Sequence, residues 1–245
     1  MEHQELWFTA LLNYLLAAPV VGLLELFGYH PVDPSHPISN HLAMQIVVAL
    51  IIMGLFGWLR SRLSVDRPGK VQQMLEMATD VLSSQSEEIV GHDGPRFLPL
   101  VFTLGMFIFL CNMLGIIPGF ETPTDQVVVT AGCALVAFVY YNYQGLRHHG
   151  FFRYMRTFMG PVWPLAPLMF VIEIVSHLAR LLSLTVRLFA NMTAGHNITL
   201  IFFGLIPLGA PILFEGLHMF VGTLQAYIFV LLTMVYLAGA VSEEH

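Results

Sequence analysis

Residues 167–206 read PLMFVIEIVSHLARLLSLTVRLFANMTAGHNITLIFFGLI, and among them only Glu173, Arg180 and Arg187 carry a formal charge. A run this long and apolar reads as membrane helix. An arginine inside such a helix carries an insertion cost of ~2.5–3.5 kcal/mol near the bilayer centre, so it faces a polar interior and has a task there. Arg187, in the middle of the run, is the first candidate functional residue.

The rest of the chain agrees with a membrane setting. Hydrophobic residues make up 56% of the 245 and charged residues 11%, against roughly 25% charged in soluble domains. Eight of the ten Lys and Arg lie outside the run in two groups: Arg60, Arg62, Arg67, Lys70 and Arg96, then Arg147, Arg153 and Arg156. Such groups mark loops kept on the cytoplasmic face. The net charge of -6 says little, because the signs are sorted by location. Neither nucleic acid nor a soluble partner is expected. Cys111 and Cys133 lie in apolar stretches and are expected as buried thiols, not as a disulfide. No basic region precedes the first apolar stretch, so no cleaved signal peptide is expected.

These features predict an all-α integral membrane protein in one domain, with about five membrane-embedded helices and one surface helix. Residues 1–40 are expected as an external or interfacial segment. Within it, 6–27 are apolar but interrupted by Asn13, Pro19 and Glu25, and either span or lie in the interface. The linker YHPVDPSHPISN (29–40), with three prolines, cannot be helical throughout. Spans are predicted at 41–60, 97–117 and 126–146. In RPGKVQQMLEMATDVLSSQSEEIV (67–90), Val71, Met74, Leu75, Ala78, Val81 and Leu82 recur at helical spacing opposite Gln72, Glu76, Asp80 and Glu87. That predicts an amphipathic helix over 68–90 on the cytoplasmic surface. PGFETPTDQ (118–126) has two acids and no base, and is assigned outside. Two long helices, 165–206 and 210–241, close the chain and leave the terminal SEEH in the cytoplasm. Forty residues reach roughly 60 Å, twice the hydrocarbon thickness, so these helices either break, at Gly195 or Gly204, or tilt.

Glu173, His177, Arg180, Leu184, Arg187 and Asn191 follow one another by steps of three and four and share a broad face. His196, nine residues past Arg187, falls on the opposite side. On the last helix Glu215, His218, Gly222 and Gln225 form a second stripe. Histidine carries protons near neutral pH, whereas arginine keeps its charge and acts as a fixed cation. Two titratable groups parted by a permanent cation describe two proton paths that do not connect directly. Each residue alone has an ordinary reading: Glu173 and Arg180 as a structural pair, a single histidine as a packing residue, Gln225 as a bridge between helices. His148 and His149 read as solvated loop residues. Together in one hairpin, each at an insertion cost, the set points to proton translocation.

At RLFANMTAGH (187–196), followed by LQAYIFVLLTMVYL (224–237), the chain resembles subunit a of the F-type ATP synthases. PGK (68–70), CNMLGIIPG (111–119), TPTD (122–125) and SEEH extend the likeness from about residue 41 to the end. The resemblance implies a static subunit, with no catalysis of its own, whose tilted hairpin packs against a ring of c subunits. It implies peripheral-stalk b subunits and the ATP synthase holoenzyme as partners, a bacterial inner membrane as location, and no cofactor or metal. It also implies that Arg187 holds a deprotonated ring carboxylate and blocks a direct leak, with Asn191 and Gln225 beside it. His196 and His218 then occupy the inlet half-channel and Glu173 the outlet side.

Two positions depart from the family pattern. Ala190 stands where glycine is common, and both inlet positions are histidine where one carboxylate is common. Glu215, three residues before His218, is the expected substitute acid. An autonomous proton-coupled secondary transporter is the alternative, but no paired repeat of the kind such folds show is detectable. A membrane metalloenzyme would need paired histidines on one helix face, and His177 and His196 are 19 apart. The histidines favour protons as the coupling ion.

Overall fold

Hydrocarbon offers no water to a backbone N–H or C=O, so a spanning chain closes its hydrogen bonds within itself, as helix. The computed structural model describes residues 6–26, 36–117, 120–159, 165–205 and 209–241, and among these there is no strand. The helices are α1 (Trp7–Leu26), α2 (Asn40–Arg60), α3 (Lys70–Val90), α4 (Leu98–Leu114), α5 (Val127–His149), α6 (Phe151–Met159), α7 (Ala166–Leu205) and α8 (Ala210–Val241). Short 3-10 turns precede α4 (Gly94–Phe97) and α5 (Pro123–Asp125). Most of the proline-rich linker (29–35), the close of CNMLGIIPG (118–119), the stretch 160–164 with Pro161 and Pro164, and SEEH lie outside the described residues.

Five helices are long and apolar enough to cross a membrane: Asn40–Arg60, Gly94–Leu114, Val127–His149, Ala166–Leu205 and Ile212–Val241. The chain is thus an all-α, multi-pass membrane protein. The apolar part of α1, Trp7–Gly22, is shorter. Its Asn13 is explained by packing: the side-chain amide donates to Ile38 O at 3.2 Å and Oδ1 accepts from Ile38 N at 3.0 Å, tying α1 to the start of α2. α7 runs unbroken through Gly195 and Gly204, so its length is not relieved by a break.

One residue of the polar stripe of α3 is turned inward. Gln72, expected on the polar side, is buried, while Val71, Met74 and Val81 are exposed. The cause is local: the Gln72 amide brackets the preceding loop, accepting from Ser64 N at 3.2 Å and donating to Ser64 O at 3.1 Å. Leu82, Ile89 and Val90 of α3 then pack against the base of α8. The basic loop after α5 also holds a helix the sequence reading did not separate, α6. Gly150, at φ 76°, ends α5 and lets α6 fold back. Tyr154 of α6 is buried, donates to Asn142 Oδ1 at 2.9 Å, and burial pushes its phenol up to about 12, so it stays protonated.

α8 is the centre of the bundle. Half of its apolar stretch, 50%, is buried inside the molecule, against 11% for α7. It packs against α4, α5 and α7, with α5 also against α7. Close approach rests on small residues. A Cβ at Gly105 would lie 2.3 Å from Val230 Cγ2, and one at Gly145 would lie 2.6 Å from Tyr154 Cε2 and 2.9 Å from Ala240 O. At Gly145 the obstacle includes backbone, which cannot swing aside. Gly145→Val is therefore expected to pry α5 from α6 and α8 at a cost of about 1–3 kcal/mol, seen as a lower thermal-unfolding midpoint in detergent; an unchanged midpoint would refute this packing.

Candidate functional site

The site is the antiparallel hairpin of α7 and α8 with the flanks of α4 and α5. One end of the bundle carries Arg60 and Arg147 and is called the basic end; the other carries Glu121 and Asp125 and is called the acidic end. Polar side chains gather at both ends of the hairpin, and an apolar layer lies between them.

That layer consists of Ile108 from α4, Cys133, Ala134 and Ala137 from α5, Leu184, Leu188 and Met192 from α7, and Ala226 and Phe229 from α8. All are buried, and close packing of this kind excludes water. Arg187 stands at its level but on the outer side. Its Nη2 donates to Ser183 Oγ at 3.3 Å, and among the described residues it makes no ion pair. Beside it Asn191 Nδ2 donates to Gln225 Oε1 at 2.8 Å, which satisfies the acceptor of a glutamine only 2% exposed. Ser183, Val186, Ala190 and Ala194 make up the uncovered face of α7 next to Arg187. These short side chains leave the guanidinium approachable.

At the basic end, Glu173 Oε1 lies 3.4 Å from His177 Nε2 and 3.7 Å from Arg180 Nη2. His177 Nδ1 lies 2.8 Å from the Tyr141 hydroxyl, and Arg180 lies over the Tyr236 ring at 5.6 Å. The Glu173–Arg180 pairing expected as the structural reading is thus formed, with His177 joined to it.

At the acidic end, His218 of α8 is buried against α7. A Cβ at Gly195 would fall 1.9 Å from His218 Nδ1, so the imidazole fits only because residue 195 has no side chain. Among the described residues His218 Nδ1 has no hydrogen-bond partner. Glu215, His196 and Asp125 all lie within electrostatic reach of this ring. His196 itself is exposed.

Asp125 was missed from sequence. Its carboxylate accepts from Thr193 Oγ1 of α7. The turn that carries it is anchored by Thr124 Oγ1, which donates to Asn112 Oδ1 at 2.7 Å, while Asn112 Nδ2 donates to Gly222 O of α8 at 2.9 Å. An acid in a short Pro-Thr-Asp turn directly ahead of a predicted span was the available signal, and it was read as a mark of the outer side and of the family likeness, not as a site residue. Tyr141 was also missed, as one tyrosine among several in α5 with no period to single it out.

A family model described as ATP synthase A chain matches residues 42–238. The chain is 48% identical over its whole length to an ATP synthase subunit a of Koribacter versatilis, covering all of that protein. It is 49% identical over 233 residues to an ATP synthase subunit a of Solibacter usitatus, covering 95% of this chain and 99% of that one. A third relative of that description, from Trichlorobacter lovleyi, is 40% identical over 200 residues, covering 82% of this chain and 85% of its own.

The seat of His218 is directly testable. Gly195→Ala is expected to expel the imidazole from α7, so that a histidine-modifying reagent labels His218 several-fold faster, as read by mass spectrometry. Labelling at the wild-type rate would show that the ring does not depend on this gap.

Proposed function

This chain belongs to the ATP synthase A chain family, and from that premise we propose that it is the static half of a proton-driven rotary motor. Its hairpin of α7 and α8 lies against a ring of c subunits, each carrying a carboxylate in mid-membrane. The positive-inside rule assigns the basic end and the C-terminus to the cytoplasm, and the bacterial relatives favour the inner membrane. The peripheral-stalk b subunits and the lipid bilayer cover other surfaces. The subunit catalyses no covalent chemistry; it moves protons.

One observation carries this reading. Arg187 sits on the sparsely buried side of α7, lacks an ion-pair partner among the described residues, and stands level with the apolar layer that parts the two polar clusters. A cation in that position invites an anion from another molecule. A ring carboxylate in front of lipid stays protonated, and opposite a guanidinium it ionises. It releases its proton toward the basic end, where Glu173 and His177 form the outlet. It regains one from the acidic end, where His196, His218, Asp125 and Glu215 form the inlet. Asn191 and Gln225 hold the flank of Arg187. The packed layer forces every proton to travel by way of the ring. Each charge carried across the field supplies ~2.3 kcal/mol per 100 mV.

The unbroken length of α7 supports a tilted placement, since about 60 Å of helix exceeds the hydrocarbon thickness twofold. A tilted helix follows the curved flank of a ring over more of its length than an upright one.

Arg187→Ala is expected to abolish ATP-driven proton pumping in inverted vesicles while leaving the soluble ATPase sites intact, with passive leak raised; pumping that survives would overturn the proposal. For the inlet acid, Asp125 is favoured over Glu215, because a hydrogen bond from Thr193 fixes its carboxylate against α7. Asp125→Asn should cut proton-driven ATP synthesis roughly tenfold, with Glu215→Gln milder. The reverse ranking would give the part to Glu215.

A further inference from the structure

The basic-end cluster contains more than a carboxylate. His177 is buried among aromatic rings: Tyr141 stacks on it at 5.7 Å and 23°, and Phe138 meets it edge-on at 6.2 Å and 85°. These contacts fix the plane of the imidazole and aim its two nitrogens in set directions. Nδ1 meets the Tyr141 hydroxyl at 2.8 Å, and Nε2 meets Glu173 Oε1 at 3.4 Å. A histidine kept only to fill space needs neither a phenol on one nitrogen nor a carboxylate on the other.

The arrangement suits both protonation states. In the neutral ring with its proton on Nε2, Tyr141 O–H donates to Nδ1 and Nε2–H faces the Glu173 carboxylate. With one proton added, Nε2–H still faces the carboxylate and the new Nδ1–H donates to the Tyr141 oxygen. Only that proton is gained and later lost; no other covalent bond changes, while the hydrogen bond with Tyr141 reverses and its O–H turns away from Nδ1. The site therefore holds a proton without moving any heavy atom far, which is what a relay needs.

We propose that His177, clamped by Tyr141, is the proton-holding member of a Glu173–His177 relay, and that it makes proton passage respond to the pH at the basic end. This rests on reading the hairpin as a proton path. Besides Glu173, the charged and titratable groups around the ring among the described residues include Arg180 on α7, Tyr141 on α5, Tyr236 on α8 and Tyr154 on α6. Arg180 is held by Glu173 and by the face of Tyr236, and so provides a constant charge. Tyr154 stays protonated, as described above. Of these side chains, imidazole is the type that ordinarily gains and loses a proton nearest neutral pH. Tyr141 is a positioning residue, acting through the ring it holds.

The test uses the assembled ATP synthase in inverted vesicles, whose outer medium bathes the basic end. ATP-driven pumping is measured while the pH of that medium is varied from about 5 to about 8, the range in which imidazole titrates. Wild type, His177→Gln and Tyr141→Phe are compared, with Arg187→Ala as the control for the path itself. His177→Gln keeps a hydrogen-bonding side chain but cannot carry the charge. It should slow pumping roughly tenfold and flatten the pH profile on this side alone. Tyr141→Phe removes one oxygen and should shift the profile with a smaller loss of rate. If both variants keep the wild-type rate and profile while Arg187→Ala is dead, the relay is wrong and the path stands. If Arg187→Ala still pumps, the path itself is wrong. Should His177→Gln fail to assemble, an unchanged profile in Tyr141→Phe is enough to overturn the relay.

Discussion

A guanidinium in a membrane must be answered by an opposite charge or by water, and at Arg187 this chain supplies only a serine hydroxyl among the described residues. The contrast with its neighbour is instructive. Arg180, seven residues earlier on the same helix, has Glu173 and the face of Tyr236. One arginine is paired within the fold, and the other meets no opposite charge among the described residues. The exposed side of α7 and the short residues beside Arg187 leave that charge open to approach.

The second organising element is the apolar layer. Leu184, Leu188 and Met192 are spaced to project from α7 into the bundle, where Phe229, Ala226 and the small residues of α5 close around them. Polar clusters above and below it are both well furnished, yet no chain of polar groups among the described residues runs between them inside the bundle. Separation is thus a property of packing, and the cation on the outer face is a property of placement. A proton path with two halves needs both.

Much of this was legible in the sequence. The apolar runs became helices, the last two as a long hairpin, and the stripe holding Glu173, His177, Arg180 and Arg187 follows from helical period alone. Pairings across helices were not legible, because partners such as Tyr141 and His177, or Asp125 and Thr193, stand in no periodic relation. The inward turn of Gln72 on α3 was not legible for a similar reason. Period gives the contrast between two sides of a helix, but Gln72 was drawn inward by the backbone of Ser64, which no periodicity registers. The acids proposed for the inlet show the limit most plainly. Glu215 was found because it shares a helix with His218, whereas Asp125 comes near that end of the hairpin from a separate turn, bonded to Thr193.

The continuity of α7 also has a mechanical meaning. Glu173 and His196 are 23 residues apart on one uninterrupted helix, about 35 Å along its axis, and α8 braces that helix along its length. In the proposed motor the helix is a beam. A sideways thrust on Arg187 is shared along its span, not absorbed by a flexible joint. The phase between where a proton boards and where it leaves is machined into a single piece of secondary structure. Load can slow such a device, but it does not change its gearing.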